Sequence, residues 1–337
     1  MELDKEALFY IKQDDGCMHC FLCPHNCKIN PDGTGICGTR KHYNGKLHAV
    51  TYGKLSALNF DPIEKKPLYH FFPGKIIFSV GSVGCNLQCS FCQNCDISQS
   101  QAEGYRNYRY LDPEDLLNVA ATQPDNIGIA FTYNEPSIWY EYVLETGMRA
   151  KETQFSTAMI SNGYISQEPL DVLLHYIDAF NIDLKAFSDT FYKKQTSSEL
   201  EPVLKTLKKI RTAGKHLEIT NLIIPGLNDD VQQFKMMINW IKNELGPQTI
   251  LHLSRYHPTY QLHIAPTPED TLYQLFDIAN ENLDYVYIGN IGGEKGRDTH
   301  CPSCNYPVIK RFGHVVDVSL TNDGNCNSCG VHLFDHV

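Results

Sequence analysis

Three cysteines, Cys85, Cys89 and Cys92, form a C-x3-C-x2-C pattern that is unusual for a metal site. A structural zinc site takes four protein ligands and closes its coordination sphere. A 4Fe–4S cluster has four irons, so three thiolates leave one iron open. An open iron can chelate a small molecule through an amine and a carboxylate. The pattern therefore favours a cluster that binds a cofactor, and a redox-inert or zinc-binding loop is the alternative.

The N-terminal part of the chain offers a second thiol group. Four cysteines there form a compact knuckle: Cys20, Cys23, Cys27 and Cys37. Such a short segment has too little apolar core to order itself, so a bound metal would have to help. Zinc and an auxiliary iron–sulfur cluster both suit four thiolates, and a knuckle without metal is a further alternative. Cys17 and His25 are alternative ligands. Cys95, three residues past the central group, is interpreted as a spare thiol.

The C-terminal part carries a third group, made of two C-x2-C pairs: Cys301, Cys304, Cys326 and Cys329. Paired knuckles at this separation are typical of a zinc ribbon, and zinc is favoured here over an iron–sulfur cluster. Between the pairs, 308–311 and 315–320 are predicted to form the strands of a small hairpin.

Composition limits the class of protein. The 337 residues are 42% hydrophobic, which is enough for a sizeable core, and the formal net charge is −10. This acidic balance disfavours bulk binding to nucleic acid or to an anionic membrane. The charged start of the chain does not resemble a signal peptide, and no apolar run is long enough for a membrane span. With thirteen clustered cysteines, the chain is expected to be cytoplasmic.

Short apolar runs alternate with helical patterns from residue 76 onward, which indicates βα units and a parallel sheet. Six runs are predicted as strands: 76–80, 127–132, 156–160, 179–184, 217–224 and 250–254. A last apolar run, 285–288, is a candidate for a seventh strand. A helix is predicted to begin near Asp112. The predicted fold is α/β, a partial (β/α)6-type TIM barrel over residues 76–294. A Cys-rich segment (1–75) precedes it and a zinc-ribbon-like module (295–337) follows.

Polar residues follow the predicted strands at their carboxyl ends, where parallel barrels gather their chemistry. The candidate cofactor-binding residues at these ends are Asn134, Glu135, Ser161, Asn162, Asp183, Lys185 and His257. Acids suit an ammonium group, and Lys or His suits a carboxylate. Segment 61–71, which mixes charges and aromatics between two prolines, is interpreted as a flap at the mouth of the barrel, and an extended connector is the alternative.

The cysteine pattern, with Phe91 just before the third cysteine, resembles the cluster motif of radical S-adenosylmethionine (SAM) enzymes. Residues 76–290 are similar to glycyl-radical-enzyme activating enzymes such as the pyruvate formate-lyase activase. That likeness implies that Asp183 and Lys185 contact the methionine end of SAM and that His257 lies near its carboxylate. Tyr133 and Asn134 replace the usual Gly-Gly before Glu135.

Nearly the whole chain also resembles the radical SAM enzymes of the AmmeMemoRadiSam system. The likeness is carried by residues 20–27, segment 61–71, Cys92-Gln93-Asn94 and the C-terminal cysteines. This resemblance implies AMMECR-family and Memo-family proteins as partners, and an electron donor such as flavodoxin or ferredoxin.

The expected function is that of an enzyme. In such enzymes a reduced 4Fe–4S cluster cleaves SAM, and the resulting 5′-deoxyadenosyl radical abstracts hydrogen from a substrate. Two metal-pinned modules are expected to flank the mouth of the barrel in place of long lids, which favours a protein or peptide target docked on the N-terminal knuckle and segment 61–71. The alternative is that both modules only brace an incomplete barrel. A small-molecule substrate is the alternative, and a catalytically silent interaction protein is a remote one.

Overall fold

A computed structural model describes residues 5–313 and 315–337. Residues 1–4 of the predicted N-terminal segment and His314 of the predicted C-terminal module therefore lie outside the described residues. The chain begins with short antiparallel strands, which form a three-stranded sheet (β1–β3), a hairpin (β4, β5) and one strand that pairs further along the chain (β6). Their bounds are β1 Tyr10–Lys12, β2 Met18–Cys20, β3 Lys28–Ile29, β4 Arg40–Tyr43, β5 Lys46–Ala49 and β6 Lys54–Leu55.

A central eight-stranded sheet follows. The strands to residue 289 are β7 Ala57–Pro62, β8 Ile76–Gly81, β9 Arg109–Tyr110, β10 Asn126–Phe131, β11 Ser156–Ser161, β12 Ala179–Asp183, β13 His216–Ile223, β14 Ile250–Arg255 and β15 Tyr285–Gly289. The small strand β9 pairs with β6 outside this sheet. β8 and β10 to β15 are parallel neighbours in chain order, and β7 lies antiparallel on β8 at one edge. The α/β fold with a mostly parallel sheet is confirmed, and the run at 285–288 does supply a seventh parallel strand.

Helices follow most of the strands. They are α1 Cys95–Ser98, α2 Pro113–Ala120, α3 Tyr140–Ala150, α4 Gln167–Leu173, α5 Asp189–Phe191, α6 Leu200–Thr212, α7 Val231–Glu244 and α8 Glu269–Asn280. The helix predicted near Asp112 is confirmed: the Asp112 carboxylate caps α2 by accepting a hydrogen bond from the Asp115 N–H at 2.8 Å, and Pro113 occupies the first helical position. None of the helices in the described ranges is long and apolar enough to cross a membrane.

Segment 61–71 lies at the amino end of the barrel strands, so the interpretation as a flap at the mouth is wrong. β7 runs antiparallel to β8, pairing Ala57 with Gly81 and Pro62 with Ile76. The chain after β7 therefore emerges at the end opposite the cysteine loop. There it buries Ile63, Leu68 and Phe71 against small lumen-facing residues of the parallel strands, Ala130, Ala158 and Ala179. The segment closes the bottom of the barrel.

One buried carboxylate holds this segment in place. Glu218 of β13 is 0% exposed. It accepts backbone hydrogen bonds from Tyr69 at 3.0 Å and His70 at 2.8 Å. The imidazoles of His216 and His252 contact it at 2.9 and 2.6 Å. A buried carboxylate is tolerated only with such complete hydrogen bonding.

The C-terminal module packs at the same closed end. Its strands are β16 Thr299–His300, β17 Pro307–Phe312 and β18 Val315–Val318. Arg311 is 1% exposed, and its guanidinium donates a hydrogen bond to the Tyr69 carbonyl at 2.9 Å. The same guanidinium lies 4.1 Å from the centre of the Tyr69 ring. The Phe72 N–H donates to the His336 carbonyl oxygen. The expectation that this module flanks the mouth is therefore wrong, and its contacts brace the bottom of the barrel.

Candidate active site

The loop after β8 presents the three central cysteines at the open end of the barrel. Cys89 is buried, whereas Cys85 and Cys92 are half-buried. The backbone N–H groups of Gln88 and Ser90 donate to the carbonyls of Thr196 and Gln195, which ties the loop to the short helical segment Tyr192–Thr196 that follows α5. Hydrogen bonds to a distant part of the chain therefore hold the cysteine loop in place.

The surroundings of the thiols fit an iron–sulfur cluster. Burial raises the pKa of Cys89 to about 11 and that of Cys85 well above 9.0, so metal binding would have to displace the protons. The Leu87 N–H donates to the Cys85 sulfur at 3.3 Å, and the Asn162 amide nitrogen lies 3.7 Å from that sulfur. N–H donors of this kind are a common means of tuning a cluster.

Sulfur spacing separates this site from a zinc site. In the part of the chain that the structure describes, only the four C-terminal cysteines have all their ligand atoms within 4.8 Å of one another. A single zinc at about 2.3 Å from each sulfur needs such a compact set, whereas a cluster places an iron between each sulfur and the centre. The wider spacing of Cys85, Cys89 and Cys92 agrees with the cluster prediction.

Glu135 organises the ends of β10 and β11. It is 4% exposed and accepts hydrogen bonds from the Ser137 N–H, the Ser161 hydroxyl and the Asn162 N–H, all within 2.9 Å. Burial raises the pKa of Glu135 despite these donors. The structure thus joins three of the predicted cofactor-binding residues in one network, in which Glu135 and Ser161 serve first to shape the turn that carries Asn162.

The turn after β10 contains a non-glycine residue in a left-handed backbone conformation that glycine usually adopts. Tyr133 has φ of 69°, in the left-handed region that costs a non-glycine residue about 1 kcal/mol. The neighbouring Asn134 side chain accepts from the Ser82 N–H at 2.8 Å and donates to the Gly84 carbonyl at 3.0 Å. These bonds fix the backbone just before Cys85.

Asp183 and Lys185 lie together beside the cysteine loop. The Lys185 ammonium is 2.9 Å from the Asp183 carboxylate and 5.9 Å from the centre of the Phe91 ring. Burial by itself lowers the pKa of Lys185, but the charges of Asp183 and Cys89 outweigh it and raise that pKa. The group is therefore a fixed cation next to the predicted cluster, suited to binding a carboxylate.

His257 is exposed in the segment after β14. A nearby backbone hydrogen bond, from the Gln261 N–H to the Ser90 carbonyl at 3.0 Å, holds this segment against the cysteine loop. Its contact with the SAM carboxylate stays a prediction.

A polar group on the lumen wall was missed from the sequence. The Tyr133 hydroxyl donates to the Asp61 carboxylate at 2.7 Å, and the Lys66 ammonium contacts the same carboxylate at 2.8 Å. The Lys66 side chain is 4% exposed, whereas that of its neighbour Lys65 is 45% exposed. No sequence signal separates these two lysines, because burial here depends on how segment 61–71 enters the barrel.

The outer cysteine groups differ in geometry. At the C-terminus, the Cys301–Cys329 and Cys304–Cys326 sulfurs are 3.6 and 3.7 Å apart. At the N-terminus, one small cavity is lined by four cysteines, Cys20, Cys23, Cys27 and Cys37. The alternative N-terminal ligands are engaged elsewhere: the Cys17 thiol contacts Asn30 at 3.2 Å, and the His25 ring contacts the Asn86 carbonyl at 2.7 Å.

Comparison with known proteins agrees with this geometry. Residues 79–241 match the sequence profile of the Radical SAM superfamily. The chain is 42% identical over 331 residues to the uncharacterized protein MJ0808 of Methanocaldococcus jannaschii, covering 97% of this chain and 98% of that protein. It is 28% identical over 185 residues to the pyruvate formate-lyase-activating enzyme of Clostridium pasteurianum, covering 51% and 75% respectively.

The fold is also shared with a solved structure, a radical SAM methyltransferase from Sphaerobacter thermophilus. The TM-score is 0.51 at 15% identity, over 66% of this chain and 68% of that one. Residues 79–241 of this protein form a domain of the radical SAM superfamily, and activating enzymes are among the homologues of the chain. A 4Fe–4S cluster and SAM are the cofactors that this superfamily implies.

Lys185→Ala is expected to weaken SAM binding ten- to a hundredfold, because a lost charge-assisted hydrogen bond costs about 1.5–3 kcal/mol. Equilibrium binding of SAM to the anaerobic, cluster-loaded protein measures the effect. The matched control is Lys193→Ala, an exposed lysine that pairs with Asp189, which should leave the affinity unchanged. Full SAM affinity in Lys185→Ala, with the iron content intact, would contradict the assignment.

Proposed function

We propose that this protein is a radical SAM enzyme that acts on a residue carried by a protein or peptide, in the manner of an activating enzyme. Cys85, Cys89 and Cys92 would hold the cluster, and Asp183 and Lys185 would bind the methionine end of SAM. When bound, these cofactors supply a 5′-deoxyadenosyl radical that removes a hydrogen atom from the target. The barrel residues orient the target and exclude water.

The observation that carries the choice of target is the position of β7. It is the terminal strand of the central sheet, so in the described ranges no strand of that sheet pairs with its outer edge. Asn59 and Phe60 on this strand are exposed. An extended peptide can add to such an edge through backbone hydrogen bonds. Because Ala57 pairs with Gly81, a peptide lying along β7 would reach the cluster end of the barrel.

Side chains in the lumen of the barrel also favour a peptide target that approaches from the cluster end. Tyr133, Asp61 and Lys66 pack side by side on the inner face of β7 and β8, with the Lys66 ammonium 4.6 Å from the centre of the Tyr133 ring. Gly81 is required there, because a Cβ atom on it would lie 2.9 Å from the Tyr133 Cβ. These side chains fill lumen space that a fully enclosed metabolite would need. The similarity of the chain to activating enzymes of other proteins also supports a protein target.

Further partners and sites belong to this proposal. The compact sulfurs of the C-terminal module suit one tetrahedral zinc. All thirteen cysteines are free thiols, which supports a reducing compartment such as the cytoplasm. A flavodoxin-like or ferredoxin-like protein would donate the electron. Memo-family and AMMECR-family proteins are the first candidates to test as targets.

Deuterium transfer tests the target class. Cells that contain this protein are grown on deuterated amino acids, and their extract is separated by size into macromolecules and metabolites. The anaerobic enzyme, SAM and a strong reductant are added to each fraction, and 5′-deoxyadenosine is examined by mass spectrometry. Deuterium is expected from the macromolecular fraction, with the Cys85→Ala enzyme as the blank. Deuterium from the metabolite fraction only would overturn the choice of target while leaving the radical SAM assignment standing.

A further inference from the structure

The N-terminal knuckle surrounds a small space lined with thiols. The cavity has a volume of about 10 Å³ and is bordered by the four cysteines Cys20, Cys23, Cys27 and Cys37 together with Leu22, Ile29 and Arg40. Cys20, Cys23 and Cys37 are buried and Cys27 is half-buried. Four thiols that line one small cavity are a ligand set, because an apolar core has no need of so many.

The spacing of the four knuckle sulfurs favours a cluster over a single zinc ion. Among residues 5–313 and 315–337, no three sulfurs of this knuckle lie within 4.8 Å of one another, in contrast to the C-terminal group. Four sulfurs around one zinc would stand about 3.8 Å apart, whereas the thiolates of a 4Fe–4S cluster stand about 6 Å apart. The knuckle therefore resembles the Cys85, Cys89 and Cys92 loop of the same chain and differs from the ribbon.

A buried donor without a partner provides independent support. Arg40 is 1% exposed and lines the cavity. Its terminal nitrogens are satisfied, one by the Leu8 carbonyl at 2.8 Å and the other by the Glu141 carboxylate at 2.7 Å. Its Nε, however, has no hydrogen-bond partner in the described part of the chain. A buried donor left unpaired costs about 1–3 kcal/mol, and the inorganic sulfides of a cluster are acceptors that would remove this cost.

We infer that Cys20, Cys23, Cys27 and Cys37 ligate a second 4Fe–4S cluster, with Arg40 donating a hydrogen bond to it. This inference does not rest on the proposed function. The site lies against the SAM-cluster loop, because a Cβ atom on Gly84 would be only 2.4 Å from the Cys37 carbonyl oxygen. Gly84 directly precedes Cys85, and φ of 86° at this glycine permits the close approach.

The test is a metal count on the full chain after the barrel cluster has been removed. The Cys85→Ala, Cys89→Ala, Cys92→Ala triple variant is reconstituted anaerobically with iron and sulfide. About four irons, four sulfides and one zinc per chain are expected, with a 4Fe–4S signal in the Mössbauer spectrum. Adding Cys23→Ala should remove the iron and leave the zinc, which also reports that the chain remains folded. Adding Cys17→Ala, whose thiol contacts Asn30 instead, should change nothing.

Two results would overturn the inference. One is about two zincs and no iron in the triple variant, and the other is a metal-free knuckle that retains native circular dichroism. If the triple variant is insoluble, the unsubstituted chain decides: about eight irons support a second cluster, whereas about four irons exclude it. Adding Arg40→Lys to the triple variant should keep the irons but shift the reduction potential of the remaining cluster, because lysine lacks the Nε donor.

Discussion

Alanine in place of Cys85, Cys89 or Cys92 is expected to abolish production of 5′-deoxyadenosine from SAM. The three thiolates would hold the cluster. Burial raises the pKa of all three thiols, which disfavours a role for them as free, reactive thiolates. Loss of any anchor should reduce the rate by more than about 10³-fold, equivalent to at least about 4 kcal/mol. The measurement is anaerobic turnover with dithionite, followed by chromatography of the nucleoside product.

Cys95→Ala is the matched control for this prediction. Cys95 follows Cys92 by three residues and begins α1, and its thiol contacts the Asp96 carboxylate at 3.8 Å. The Cys95→Ala variant should retain its iron content and its rate of SAM cleavage. Persistent 5′-deoxyadenosine production by the triple alanine variant would refute the cluster assignment.

Glu218→Ala is expected to lower the free energy of unfolding by about 3–5 kcal/mol, the usual cost of removing one member of a buried charged network. The substitution leaves the Tyr69 and His70 N–H groups unpaired in the lumen. It should also loosen the C-terminal module, because Arg311 attaches that module to the Tyr69 carbonyl. Denaturant titration measures the loss, and limited proteolysis near residues 61–71 reports the loosening.

Glu201→Ala is the control for Glu218. Glu201 is exposed on α6 and pairs loosely with Lys205 at 3.6 Å, so a change of less than about 0.5 kcal/mol is expected. Equal stability of the two variants would show that Glu218 does not anchor the segment.

The pH dependence gives a second readout. Burial alone would raise the pKa of Glu218, but hydrogen bonds from His216 and His252 outweigh it and hold this pKa well below 4.5. Burial lowers the pKa of His70 well below 6.5. Both groups bind protons more readily in the unfolded chain, so stability should fall as the pH drops below about 6.5, and further below about 4.5. Glu218→Ala should flatten the lower part of this curve.

Local sequence was enough to locate the central cysteine loop and to predict most of the barrel. The spacing of the three cysteines is visible within eight residues of sequence. The parallel strands from 76–80 to 285–288 are buried on both faces, so each of them is a continuous apolar run that is easily found. The two C-terminal cysteine pairs were equally easy to find, because all four candidate ligands lie in two short C-x2-C turns. These features depend on residues that are close in the chain.

Tertiary structure decided what lies at each end of the barrel. Segment 61–71 has the composition of a binding loop, yet the antiparallel pairing of β7 with β8 sends it to the closed end, where Ala130, Ala158 and Ala179 leave room for it. The same entry path buries Lys66 and exposes Lys65. The width of the N-terminal thiol cavity was likewise beyond the sequence, since spacing along a chain defines which residues can be ligands but not how far apart a folded knuckle holds their sulfur atoms.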